Sequence, residues 1–169
     1  MNELNAESRS VCKRILPLIP EGSSVCAYYP LKTEVDLRSL MRTLIERGDT
    51  VYLPCFEKGD LTFRQLTNLG DIHLGEFGIP EPAPESTHYD PQMIDMVLVP
   101  GRAFDRNRRR LGRGNGGYDR WISRHRKENT QTQIIGVAFE CQIVQEVPCE
   151  AHDERMDGVV TARGYTKAN

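Results

Sequence analysis

Residues 96–101 read Met96-Val97-Leu98-Val99-Pro100-Gly101, four apolar residues in a row without polar alternation, closed by a proline and a glycine. A strand written this way is covered on both faces, as interior strands of parallel sheets are. Upstream, Leu4 to Ile19 carries Val11, Ile15 and Leu18 at helical spacing and stops at Pro20 and Gly22. Val25 to Tyr29 predicts a buried strand ended by Pro30. From Val35 to Gly48, the residues Leu37, Leu40, Met41, Leu44 and Ile45 share one helical face, with Asp36 as the expected cap and Gly48 as the stop. Thr50 to Leu53 predicts a second strand ending at Pro54, and Leu61 to Leu66 a short third. Downstream, a helix from Gly117 or Tyr118 to Lys127 rests on Trp121 and Ile122, followed by strands at Gln133–Phe139 and Val159–Thr161. This alternation predicts an α/β fold with a mostly parallel central sheet. The proline- and glycine-rich stretch from Gly70 to Pro91 is expected to be a long ordered surface loop.

The bulk properties narrow the class. A chain of 169 residues is the length of a single domain with one substantial core. With 27% charged and 38% hydrophobic residues, its composition is that of a globular protein and not of a disordered one. The net charge of −2 carries no global attraction for nucleic acid or an anionic membrane, so neither is expected as a partner. No apolar run approaches the ~20 residues of a membrane span. The N-terminal Met1-Asn2-Glu3-Leu4-Asn5 lacks a basic-then-apolar signal pattern, and a cytoplasmic monomer is expected. The five cysteines, Cys12, Cys26, Cys55, Cys141 and Cys149, form no CxxC pair and are odd in number, which argues for small core residues over a disulfide frame or a zinc site.

The chemistry gathers just after the interior strand. Gly112, Gly114, Gly116 and Gly117 fall within Leu111-Gly112-Arg113-Gly114-Asn115-Gly116-Gly117-Tyr118-Asp119, directly before a predicted helix. Such a loop brings backbone N–H groups close to a phosphate, and arginines add charge-assisted contacts to its oxygens. The run matches neither GxxxxGK[ST] nor GxGxxG, so from composition alone a solvated hairpin competes with a triphosphate site. Its place beyond the carboxyl end of an interior strand favours ligand binding. Asp119 reads either as a Mg²⁺ ligand beside phosphates or as a carboxylate stabilised by a helix N-terminus. The basic residues from Arg102 to Arg113 and from Arg120 to Lys127 leave a third reading open, polyanion binding with a steep salt dependence.

Four spaced stretches resemble one family. Val99-Pro100-Gly101-x-Ala103-Phe104-Asp105 with Arg110-Leu111-Gly112-x-Gly114-x-Gly116-x-Tyr118-Asp119-Arg120 is similar to the signature of the 5-formyltetrahydrofolate cyclo-ligases, also called methenyltetrahydrofolate synthetases. Tyr28-Tyr29-Pro30 with Glu34-Val35-Asp36 looks like the same family. So do Phe77-Gly78-Ile79-Pro80-Glu81-Pro82, and Gly136-Val137-Ala138-Phe139-Glu140-x-Gln142 with His152-Asp153 and Asp157-x-Val159-Val160-Thr161.

The resemblance implies a three-layer, Rossmann-like α/β sandwich that converts 5-formyltetrahydrofolate to 5,10-methenyltetrahydrofolate with ATP and Mg²⁺, through a phosphorylated formyl group that N10 attacks. It further implies that Arg110, Leu111, Gly112, Arg113, Gly114, Asn115, Gly116, Gly117 and Tyr118 wrap the ATP phosphates. Asp119 and Asp153 would hold the metal, and Tyr29 and Glu34 would contact the folate. No residue is assigned as acid or base. Read without the family, Glu34 is also a helix-entry residue, Tyr29 a packing residue at the core's edge, Asp153 with His152 a solvated loop pair, and Glu81 either a cleft residue or part of a rigid loop.

Two departures stand out. Family members begin with a further helix whose lysine and arginine reach the phosphates, a pattern this chain does not carry before Ser8. Gly117 stands where relatives have the first of two tyrosines. Arg106, Arg108 and Arg109 are expected to replace the lost cations. A degenerate nucleotide- or folate-binding module with little turnover is the alternative to an active ligase.

Overall fold

A computed structural model, which describes residues 3–168, turns the run at 96–99 into an interior strand. In chain order the elements are α1 (Glu3–Ile15), β1 (Ser24–Cys26), α2 (Arg38–Arg47), β2 (Thr50–Glu57) and β3 (Asp60–Leu66). They continue with β4 (Ile72–Leu74), β5 (Pro80–Pro82), β6 (Met96–Val99), β7 (Ala103–Phe104) and β8 (Arg110–Leu111). Last come α3 (Gly117–Glu128), β9 (Gln133–Val137), β10 (Gly158–Val160) and β11 (Tyr165–Lys167).

Among the described residues the main sheet has seven strands in the order β11-β10-β9-β6-β1-β2-β3. The inner joins, β10–β9, β9–β6, β6–β1 and β1–β2, are parallel. The outer strands β3 and β11 pair antiparallel. The sheet is therefore mostly parallel, and all four residues of β6 are buried. Alternate residues of β6 enter different cores, as the two-residue period of a strand requires. Leu98 packs in a cluster with Val11 and Ile15 of α1 and Leu40, Met41 and Leu44 of α2. Val97 and Val99 pack instead with Trp121 and Ile122 of α3. On β9, Gly136 admits the ring of Phe104, since a Cβ there would lie 2.5 Å from Phe104 Cε1.

Several boundaries differ from the sequence expectation. The first helix ends at Ile15 and tightens into a 3₁₀ turn at Leu16–Leu18, where Pro17 removes a helical donor. The second begins at Arg38 with Leu37 in the cap position and no side-chain cap bond. Asp36 still accepts the Arg38 N–H at 2.9 Å and pairs with its guanidinium at 2.7 Å. β1 stops at Cys26, three residues short of Tyr29.

β2 does not stop at Pro54 but runs on to Glu57, paired to β3 through the Lys58-Gly59 turn. The N–H of Phe56, two residues on from Pro54, points away from β3 and onto Glu81 Oε1. By the same alternation, the side of Pro54 lacking an N–H faces the gap left where β1 has ended, so no ladder bond is lost. The stretch from Gly70 to Pro91 is not a plain loop: β4 and β5 pair within it, and a 3₁₀ turn at Pro91–Met93 closes it. Prolines at both ends of β5 hid that strand, being tolerated because the hairpin is all edge.

Candidate functional site

β1 ends at Cys26 and β6 at Val99 while β2 runs on to Glu57, and a cleft opens beyond the carboxyl ends of the two shorter strands. Tyr28, Tyr29 and Glu34 follow β1, Pro54 and Phe56 belong to β2, and Pro100 and Gly101 follow β6. Ile79 and Glu81, from the β4–β5 hairpin, form one wall, while Arg110, Arg113, Asn115, Gly117 and Tyr118 form the other. Parallel sheets offer ligands this edge because the loops there diverge toward different helices.

The second wall is the glycine loop. Arg110 leaves β8 with its side chain only 7% exposed, donates from Nε to the Pro100 carbonyl at 2.7 Å, and lies 5.0 Å from the Tyr118 ring centroid. Burial pulls its guanidinium below the ordinary arginine value, and Asp119, 4.0 Å away, opposes that pull. Burial also pushes the Tyr118 phenol up, with the Arg110 charge acting against it. Gly112 is bare where the guanidinium passes, for a Cβ there would sit 3.0 Å from Nη1. Gly114 and Gly116 take φ of 97° and 68°, a left-handed backbone that opens α3 without a β-carbon penalty. The Asn115 side chain accepts the Gly117 N–H at 3.0 Å, which orders the turn. The result is a glycine loop seated on the positive end of a three-turn helix.

Arg113 ties this loop to the segment after β1. Its Nη2 donates to Thr33 Oγ1 at 3.2 Å and to Glu34 Oε1 at 3.4 Å, while Glu34 Oε2 accepts the Leu31 N–H at 2.8 Å. Tyr29 is half-buried in the same cleft, with the Arg38 guanidinium 6.0 Å from its ring centroid. Tyr28 is buried, and its hydroxyl donates to the Val35 carbonyl at 3.0 Å, fixing the turn that carries Glu34.

A second cleft lies on the other side of the loop, lined by residues 110–119 and by Pro148, Cys149, Glu150, His152 and Asp153. Asp119, in the first turn of α3, accepts the Glu154 N–H at 3.4 Å. Asp153 Oδ2 accepts the Glu150 N–H at 2.7 Å, and its Oδ1 lies 3.6 Å from His152 Nε2. Among the described residues there is no cluster of three or more histidine, cysteine or acidic side chains of the kind that cages a metal. Two carboxylates facing a phosphate-sized cleft nevertheless suit Mg²⁺, which binds through one or two carboxylates and takes its other ligands from water and phosphate. The residues present therefore fit that ion.

The expected replacement of cations by the arginine run is not what the structure holds. Arg108, at φ 62°, donates from Nε to the Met156 carbonyl at 3.1 Å. Arg109 turns to Glu146 at 3.4 Å and Asp105 at 3.9 Å, and Arg106 lines neither cleft. The guanidiniums of Arg108 and Arg109 are engaged in holding the β7–β8 turn. Arg110 and Arg113 are the loop arginines that face the clefts.

Sequence reasoning missed Phe56 altogether and left Glu81 undecided. Glu81 is 8% exposed, and a Cβ on Gly75 would fall 2.2 Å from its carboxyl carbon, so the hairpin backbone closes directly over it. Burial first, and then the charges of Glu81 and Glu57, push the Cys55 thiol up to about 11. Phe56 is edge-on to Phe77 at 5.0 Å, and its Cε1 is 3.8 Å from where a Cβ on Gly117 would stand. An aromatic ring thus already borders Gly117. Cys12, Cys26 and Cys55 are core residues, whereas Cys141 and Cys149 are exposed.

A model of the 5-formyltetrahydrofolate cyclo-ligase family matches residues 2–162. The chain belongs to that family. A cyclo-ligase from Mycolicibacterium smegmatis is 35% identical over 84% of this chain and 75% of its own length. A probable cyclo-ligase from Schizosaccharomyces pombe is 30% identical over 94% of this chain and 85% of its own. Among solved structures, the 5,10-methenyltetrahydrofolate synthetase of Aquifex aeolicus superposes with a TM-score of 0.84 at 30% identity, covering 98% of this chain and 82% of that one. The synthetase of Mycoplasma pneumoniae, at 20% identity and a TM-score of 0.74, supports the fold alone. Membership in the cyclo-ligase family carries folate cyclo-ligase chemistry in general, with nucleotide binding and a place in one-carbon metabolism.

Proposed function

We propose that this chain forms 5,10-methenyltetrahydrofolate from 5-formyltetrahydrofolate with ATP and Mg²⁺, as one domain built in three Rossmann-like layers. The observation that carries the reading is that one glycine loop walls two clefts. One is largely apolar and holds Glu34 and Glu81; the other is more polar and holds Asp119 and Asp153. Two small molecules bound on either side of such a loop would bring their reacting ends together across it.

In this reading the N–H groups and Arg113 of the loop hold the triphosphate, aided by the helix N-terminus. Arg110 is the buried cation against which Asp119 and Tyr118 are set. Tyr29 and Glu34 receive the folate, the carboxylate accepting donors of the pterin edge. Asp119 and Asp153 would hold a magnesium ion, whose charge would offset that of the triphosphate. The formyl oxygen bonds to the γ-phosphorus as ADP departs with the electron pair of the broken P–O bond. N10 adds to the formyl carbon and gives up its proton. The C–O bond to phosphate then breaks, phosphate taking the pair, and an N5–CH–N10 amidinium remains. The protein's part is placement and charge stabilisation, which suffices for phosphoryl transfer.

The test is to follow the near-ultraviolet absorbance of methenyltetrahydrofolate with 5-formyltetrahydrofolate and MgATP present. Turnover in the wild type and its loss in Asp119→Ala is the expected result. ATP binding without turnover in the wild type would instead identify a degenerate nucleotide-binding module.

A further inference from the structure

The cleft after β1, β2 and β6 contains two buried carboxylates in different electrostatic situations. Glu34 is met by the Arg113 guanidinium at 3.4 Å and by the Leu31 N–H at 2.8 Å. Glu81 is equally buried, at 8% exposure, yet among the described residues it has no ion pair. Its donor among the described residues is a single backbone N–H, that of Phe56, at 3.1 Å to Oε1. Burying a carboxylate without a cation is costly, and such a group is retained where a ligand supplies the missing charge.

Its location says which charge. Phe56 holds Glu81 through its backbone N–H, and its ring edge comes within 3.8 Å of the Cβ position of Gly117 on the glycine loop. Glu81 therefore stands one phenylalanine away from the loop proposed to carry the phosphate, on the opposite wall of the same cleft. Of the species in the proposed reaction, the 5-formyl substrate is neutral at its reacting atoms. The product is an amidinium with one positive charge spread over N5, the bridging carbon and N10, and positive charge first develops when the formyl oxygen is phosphorylated.

We infer that Glu81 is a catalytic residue that answers the positive charge created at the N5–CH–N10 bridge during ring closure, while Glu34 serves ground-state binding of the pterin. A fixed carboxylate in a site shielded from water favours the charged species over the neutral one, and so lowers the barrier without tightening substrate binding. It neither gives nor takes a proton. This inference rests on the reaction proposed above.

Glu81→Gln keeps the shape and the acceptor for Phe56 N–H but removes the charge, and the ligand pair that reads the effect is the cationic product against the neutral 5-formyl substrate. Loss of an ion contact in a shielded site predicts product affinity lower by about ten-fold or more, with substrate affinity changed by less than about three-fold and kcat reduced in step with product affinity. Equal weakening of both ligands would make Glu81 a simple folate-holding residue and overturn the inference, as would unchanged affinity for both. Should Glu81→Gln fail to fold, Gly75→Ala is the second arm. Its added Cβ displaces the carboxylate without removing it and is expected to lower the same product-to-substrate affinity ratio, an unchanged ratio counting against the inference. If the wild type binds neither ligand, the reaction itself is wrong and the inference falls with it; if it binds both and only the ratio fails to move, the reaction stands and the role of Glu81 does not.

Discussion

At the scale of single residues, the clearest physical tension outside the clefts is His125. Its ring stacks on Trp121 at 4.7 Å, and Nε2 lies 2.7 Å from Thr132 Oγ1. Thr132 spends its one proton on the Ile94 carbonyl, also at 2.7 Å, so Nε2 must carry the hydrogen and Nδ1 is left as a buried nitrogen without a partner. Burial pulls the imidazole below its ordinary pKa, with Glu128 pulling weakly the other way and Arg126 adding to the fall. The unfolded chain therefore takes up this proton more readily than the folded one, and stability is lost as pH falls through the ordinary histidine value of about 6.5 toward the lower folded value. Denaturant midpoints should drop between about pH 7 and pH 5, and part of that drop should vanish in His125→Leu even if the variant is less stable overall. A parallel pH profile in the two proteins would show that the folded imidazole takes up its proton as readily as the unfolded one, so that its burial contributes no pH dependence.

Elements extend the argument to close contacts. Gly136 on β9 and Gly116 before α3 both exclude a side chain, but against different neighbours. A Cβ on Gly136 meets the rigid Phe104 ring at 2.5 Å, while one on Gly116 meets the flexible end of Arg120 at 2.8 Å in a left-handed backbone. Urea unfolding should find Gly136→Ala costing about 2–3 kcal/mol through overpacking, and Gly116→Ala about 1 kcal/mol through backbone strain. Because Phe104 belongs to β7, which pairs with β8 and so aims Arg110, the Gly136 variant should also weaken ATP binding.

The same elements explain what could be read beforehand. β6 and β9 were legible because covering elements on both faces make them almost uniformly apolar, and α3 because Trp121, Ile122 and His125 bury one helical face. The β4–β5 and β7–β8 hairpins were not, since strands of two or three residues carry no periodicity and Pro80 and Pro82 speak against a strand. Pro54 misled for a related reason: whether a strand tolerates proline depends on which neighbour its N–H would have met. The glycine loop announced itself as a local feature. Phe56 and Glu81 could not, because the cleft they share is built from segments far apart in sequence that only the folded chain brings together.

For the whole molecule, the proposed triphosphate cleft is closed on one side by α3 and on the other by the segment from Pro148 to Asp153, distant in sequence. Ligand bound there would add to the ties that already join α3 to the chain just past that segment, Asp119 with the Glu154 N–H at 3.4 Å and Arg126 with the Glu154 carboxylate at 2.7 Å. MgATP at about 100 times its Kd should stabilise the fold by about 2.7 kcal/mol. For a chain this long that is a rise in Tm of roughly 5–10 °C. Calorimetry should find the rise smaller in Asp119→Ala and smaller again without magnesium. Equal shifts with and without the metal would remove Asp119 and Asp153 from the proposed ion site.

The glycine loop that serves as a wall for two clefts has a pharmacological consequence. An inhibitor need not choose between a crowded nucleotide pocket and a crowded vitamin pocket. A pterin fragment joined by a short tether to a phosphate mimic would straddle the loop, the second fragment arriving at the high local concentration that the first provides. Selectivity would then come from the length of the tether.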